Sequence, residues 1–108
     1  MSDAFNDRQK GFERKFQLDQ DQQFKAQSRR DKLFGQWIAS KLGISGADAD
    51  AYAKTVVASN FEKPGDEDML GKVRTDLAAK QVAVTDKELS DKLAQCEAEA
   101  VRQIAAGN

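Results

Sequence analysis

The sequence predicts an all-α protein, a four-helix bundle with a long first helix whose N-terminal part is a flexible arm. Three observations carry that expectation. Apolar residues recur at three- and four-residue spacing along most of the 108 residues, and no segment alternates apolar with polar residues as a half-buried strand would. A single proline, Pro64, interrupts the chain. Toward the N-terminus the apolar pattern thins to isolated phenylalanines among glutamines and charges.

The punctuation between helices falls at three places. Leu42-Gly43 has the form of a helix end with a glycine cap, and Ser45-Gly46-Ala47-Asp48 has the form of a capping box opening the next helix. Phe61-Glu62-Lys63-Pro64-Gly65 breaks that helix, and Asp66 can cap its successor. Thr85-Asp86-Lys87-Glu88 is a second capping box, after a short apolar loop around Val82 and Val84. The expected helices therefore cover about 7–42, 46–61, 66–81 and 86–106.

Each has a face to bury. The first carries Leu33, Phe34, Trp37, Ile38 and Leu42. The second carries Ala49, Tyr52, Ala53, Val56 and Val57; the third, Met69, Leu70, Val73 and Leu77. The fourth carries Leu89, Leu93, Cys96, Ala100 and Ile104.

The start of the first helix belongs to a different regime. As a helix, Phe12 and Phe16 share a face and Phe24 falls two turns further on, among Gln and charged residues. A buried large apolar side chain returns about 1.5–3 kcal/mol. Ordering the backbone costs about 1–2 kcal/mol for every residue fixed. The first twenty residues offer Phe5, Phe12, Phe16 and Leu18 against that cost, and Gly11 adds about 1 kcal/mol relative to alanine. The expected division is an arm over 1–19, disordered or frayed when free and ordered on a partner, and a bundle over 20–108. The other reading of the arm is a terminus whose aromatic side chains pack loosely on the bundle.

Composition excludes several classes of function. Seventeen Lys and Arg against 18 Asp and Glu give a net charge of −1, without a general pull toward nucleic acid or anionic membranes. No apolar run approaches a membrane span, and the N-terminus lacks the hydrophobic block of a signal peptide. One cysteine staples nothing internally, which points to a reducing cytoplasm. Histidine, the commonest general base and metal ligand, is absent.

The motifs nearest to catalysis fail on chemistry. Gly65-Asp-Glu-Asp-Met-Leu-Gly71-Lys72-Val73 superficially suggests a phosphate loop. Its glycines are misspaced, Val73 has no hydroxyl for magnesium, and three acidic side chains repel phosphate. Asp66-Glu67-Asp68 lacks the alternating ligand spacing of a calcium loop and reads as an acidic first turn facing the helix dipole. Cys96, on an apolar face, reads as a buried, inert thiol. No enzyme, metal site or required cofactor is expected.

The run Arg29-Arg30-Asp31-Lys32 near Trp37 supports two readings. One is a solvated helix face, partly neutralised by Asp31. The other is a phosphate or nucleotide contact, with Arg29 and Arg30 gripping phosphate and Trp37 beside a base. On the second reading, weak adenine-nucleotide binding would make the bundle a regulatory module. No spacing motif distinguishes them.

A family resemblance rests on residues spread along nearly the whole chain. Phe5-Asn6-Asp7-Arg8, Lys15-Phe16, Phe24-Lys25-Ala26, Arg29-Arg30, Leu33, Gly35-Gln36-Trp37 and Leu42-Gly43 carry its first part. Ala51-Tyr52-Ala53-Lys54, Val56-Val57, Phe61-Glu62 and Gly65-Asp66-Glu67-Asp68 continue it. This pattern resembles the zeta-subunit family of alphaproteobacterial F-type ATP synthases. Gly11 and the Gln-rich stretch from Gln17 to Gln27 depart from it.

The resemblance implies a four-helix regulatory protein that inhibits ATP hydrolysis by the synthase's catalytic head. Its N-terminal segment becomes helical on entering an interface between catalytic subunits and the central rotor. In this chain the partner-binding residues would be Phe5, Arg8, Phe12, Arg14, Lys15 and Phe16. The protein would be a monomer when free, without nucleic acid or direct membrane insertion. It would be cytoplasmic, at the cytoplasmic face of the inner membrane when bound.

Overall fold

The computed structural model describes residues 18–61 and 65–107. Among them are four α-helices and no strand: α1 (Gln20–Lys41), α2 (Gly46–Ser59), α3 (Glu67–Ala79) and α4 (Asp86–Ala105). α1 packs extensively against both α2 and α4, while α3 meets α2 and touches α1 more lightly.

The sequence places the start of the first helix near residue 7. Its portion before residue 18 lies outside the described residues, and within them the helix starts at Gln20. The reason is a capping box hidden in the Gln-rich run. The Asp19 carboxylate accepts the Gln22 N–H at 2.8 Å, and the Gln22 side-chain oxygen accepts the Asp19 N–H at 3.0 Å. At 22 residues α1 is only slightly longer than α4, at 20, rather than the long first helix expected.

α1 ends as the Leu42-Gly43 pair predicts. Gly43 takes a φ of +78°, the Ile44 N–H reaches the Ala39 carbonyl at 2.9 Å, and the Gly43 N–H reaches the Ser40 carbonyl at 3.2 Å. This is a Schellman closure, and glycine adopts its left-handed residue without a Cβ clash. α3 closes in the same way without glycine. Gln81 sits at φ +59°, and the Val82 N–H binds the Leu77 carbonyl at 2.9 Å. Val82 then packs on the core beside Val84.

The starts of α2 and α3 correct the sequence expectations. Ser45 makes no side-chain cap, because Gly46 at φ +63° turns the chain where the helix opens, and Asp48 is one methylene shorter than the Glu a capping box uses. Asp66 makes none either, because its carboxylate is held by Arg30 and Asn60. The Thr85–Glu88 box forms as expected, with bonds of 3.0 and 3.1 Å in the two directions. α2 ends at Ser59 and α3 starts at Glu67, so the chain breaks where residues 61–65 predict; Phe61 and Gly65 are non-helical, and residues 62–64 lie outside the described part.

The core is built from the faces the spacing identifies. Phe34, Ile38, Val56, Met69, Val73, Leu77, Leu89 and Cys96 form it, flanked by Leu33, Trp37, Tyr52, Leu70 and Leu93. Gly35 sets how closely α1 approaches α2, since a Cβ there would lie 2.9 Å from the Ala53 Cα and 3.1 Å from the Val56 Cβ. Tyr52 pins α2 to α3 by donating its hydroxyl to Asp76 at 2.7 Å. Lys72 binds the same carboxylate at 3.0 Å and lies over the Tyr52 ring.

Candidate functional site

The polar centre of the bundle is Arg30, on α1. Its Nε donates to Asp31 at 2.9 Å, Nη2 to Asp66 at 2.7 Å, and Nη1 to Glu97 on α4 at 3.3 Å. Asn60, capping the end of α2, donates to Asp31 at 2.8 Å and to Asp66 at 3.1 Å. Asp31 is fully buried, and Arg30 and Asn60 nearly so. Arg30 and Asp31 are therefore not the solvated helix face of the first reading. The partners that bury them come from distant parts of the chain, which local charge counting does not see.

Electrostatics follow from this packing. Burial pushes the Asp31 carboxyl above its ordinary range, against the opposing pull of Asn60 and Arg30. Burial also acts to raise Asp66, but hydrogen bonds from Arg30 and Asn60 and the Arg30 charge outweigh it and hold Asp66 low. Arg30 stays charged, because Asp66 and Asp31 overcome the burial that disfavours its cation.

The three residues of the nucleotide reading face different partners. Arg29 turns to Gln103 of α4 through its Nη1. Arg30 lies among three carboxylates, two of which, Asp66 and Glu97, line the same open groove with it. Trp37 is half-buried, about 10 Å further along α1. Its ring packs at 6.1 Å from that of Phe34, with the ammonium groups of Lys41 and Lys92 at 5.4 and 5.9 Å.

The remaining candidates resolve locally. Gly71 and Lys72, the end of the loop-like motif, lie inside α3, where Lys72 pairs with Asp76. Glu67 and Asp68 occupy the first turn of α3. Cys96 is buried, and burial pushes its thiol up, away from the reactive thiolate. Among the described residues no group of three or more His, Cys, Asp or Glu is placed to hold a metal, and no helix is long and apolar enough to cross a membrane.

Phe5, Arg8, Phe12, Arg14, Lys15 and Phe16 lie outside the described residues. Phe24, the last phenylalanine of that stripe, is described and 60% exposed. It stacks on Phe61, itself 52% exposed, with ring centroids 5.6 Å apart and planes 8° from parallel. Phe61 follows the end of α2; the sequence marks it as the start of the break before Pro64 and in the Phe61-Glu62 pair of the family pattern, but nothing local pairs it with Phe24.

A family model described as ATPase inhibitor subunit zeta matches residues 1–103. The chain belongs to the ATPase inhibitor subunit zeta family. The match includes the N-terminal segment, the first three helices and all but the last two residues of α4, so the zeta pattern is a property of nearly the entire chain. No curated protein matches the chain significantly. Two features quoted for the resemblance acquire physical roles in this zeta chain. Gly35 is the contact point of α1 and α2, and Arg30 joins the Gly-Asp-Glu-Asp turn to α1 and α4.

Proposed function

We propose that this zeta chain inhibits ATP hydrolysis by the catalytic head of an F-type ATP synthase, with residues 1–19 as the inhibitory segment. The segment folds as a helix into the interface between catalytic subunits and rotor, and the bundle stays outside as an anchor and steric stop. The protein acts at the cytoplasmic face of the inner membrane. The observation that carries this reading is the family match, which begins at residue 1 and so takes in the phenylalanine-bearing segment.

The chemistry of the segment supports it. Phe5, Phe12 and Phe16 supply apolar anchors to a segment too polar to build a core of its own. Arg8, Arg14 and Lys15 supply charge for acidic groups around the rotor cleft. α1 carries its own cap at Asp19, so its first turn needs no helical continuation upstream.

The test is ATP hydrolysis by the purified cognate head with either the full chain or a chain beginning at Leu18, both checked for helicity by circular dichroism. Strong inhibition by the first and none by the folded second is expected. Equal inhibition by both would move the activity into the bundle, and no inhibition by the full chain would overturn the reading.

A further inference from the structure

The Phe24–Phe61 pair has no work to do in the core. Single exposed apolar residues are ordinary on protein surfaces. Here two large rings, from α1 and from the turn after α2, meet face to face while more than half of each stays in solvent. Their stacking fixes both side chains before anything binds, which lowers the ordering cost of using them as anchors. Aromatic residues, phenylalanine among them, are enriched at protein interfaces relative to the rest of the surface.

The surroundings state the chemistry of the occupant. Beside Phe24 runs an open groove of about 540 Å³, with Ile104 in its apolar wall and the exposed Lys25 as its cation; Arg29 also lines it, with its guanidinium held by Gln103. A matching surface presents apolar side chains with carboxylates around them.

Chain connectivity states which body that is. Phe24 lies about 6 Å along the axis from Gln20, the first residue of α1. A partner that holds residues 1–19 is therefore kept within about 20 Å of the aromatic pair, where even a weak second contact forms at high effective concentration.

We propose that Phe24 and Phe61 form a second docking surface, through which the folded bundle grips an apolar, acid-rimmed patch on the same ATPase that receives the N-terminal segment. This rests on the proposed inhibitory reading and adds to it a division of labour. The segment blocks turnover, and the aromatic surface sets how tightly the inhibitor is held.

The experiment uses the full-length chain and its Phe24→Gln/Phe61→Ser double variant on the purified cognate head. Inhibition and binding, by anisotropy of a labelled chain, are read together, and thermal melting verifies the fold. Lys25→Glu, at an exposed position, serves as a second variant should the double variant melt early. The expected result is a half-inhibitory concentration at least tenfold higher for the double variant and about threefold higher for Lys25→Glu, with maximal inhibition unchanged.

Unchanged half-inhibitory concentrations would overturn the proposal. Stronger inhibition by the double variant would instead assign the surface to the chain's own N-terminal segment. A wild-type dimer in sedimentation that the double variant dissociates would assign it to a second copy. If the wild type binds the head without inhibiting it, and the double variant binds less well, the inhibitory reading fails while the docking surface stands. Absence of binding by the wild type overturns both.

Discussion

Arg30 Nη2 lies 2.7 Å from Asp66 Oδ1, across 36 residues of sequence, and this contact joins α1 to the entry of α3. The same guanidinium holds Asp31 and Glu97, so one buried cation ties together three parts of the bundle. Breaking such a pair is far more costly than replacing it, because a charge is left buried without its counterion.

Arg30→Met is accordingly expected to destabilise the bundle by about 3–5 kcal/mol, read from the midpoint of urea unfolding. Asp31→Asn keeps shape, and Arg30 retains Asp66 and Glu97. Its expected cost is only about 1–2 kcal/mol. Equal losses for the two substitutions would refute the view that Arg30 is the organising charge.

The pH dependence has two limbs of opposite sign. Asp66 and Asp76 are both held below the ordinary value of 3.8. At Asp76 burial opposes the shift, and the Tyr52 hydroxyl and Lys72 overcome it. The unfolded chain thus takes up these protons first as pH falls. Their stabilisation is complete above the ordinary value and is lost as pH drops through the lowered folded values. Asp31, raised by burial, works the other way, since the native state binds its proton first and gains stability as pH falls toward 3.8. Urea midpoints measured across the acid range should therefore show a steeper acid loss for Asp31→Asn and a shallower one for Asp76→Asn. Superimposable profiles would contradict both assignments.

Gly35→Ala is a test of helix approach. In an isolated helix the change would stabilise by about 0.5–1 kcal/mol. Here the new methyl would sit 2.9 Å from the Ala53 Cα, a backbone atom that moves only if α2 moves. A net loss of about 1–3 kcal/mol in urea unfolding is expected. A gain would mean that α1 and α2 separate freely.

What was legible in the sequence and what was not divides along chain distance. The buried faces of α2, α3 and α4 follow from spacing within each helix, and Val56, Val73 and Leu89 are buried where periodicity puts them. The Thr85 cap is local and was readable; the Asp19–Gln22 box is equally local but sits in a run whose many glutamines dilute the signal. Asp66 looked like a cap because a cap is all its neighbours suggest. Its actual use depends on Arg30, 36 residues away, and Arg30 in turn reaches Glu97, 67 residues away. The Phe24–Phe61 stack was hidden for the same reason, since neither residue belongs to a periodic face that names the other.

The proposed inhibitory segment makes a kinetic prediction that separates its two kinds of residue. Phenylalanines buried at an interface mainly slow dissociation, whereas rim charges mainly speed encounter. Phe12→Ala and Phe16→Ala should each quicken recovery from inhibition by about tenfold or more, the equivalent of about 1.5–3 kcal/mol of lost burial, with little change in onset. Neutralising Arg8, Arg14 and Lys15 to Gln should slow onset several-fold and flatten its dependence on salt, with recovery nearly unchanged. Stopped-flow onset and dilution recovery, each at low and near-physiological salt, measure the two rates independently. If the Gln variants altered recovery and the Ala variants altered onset, the basic residues would be the buried anchors, and a phenylalanine-led helix in the rotor interface would be untenable.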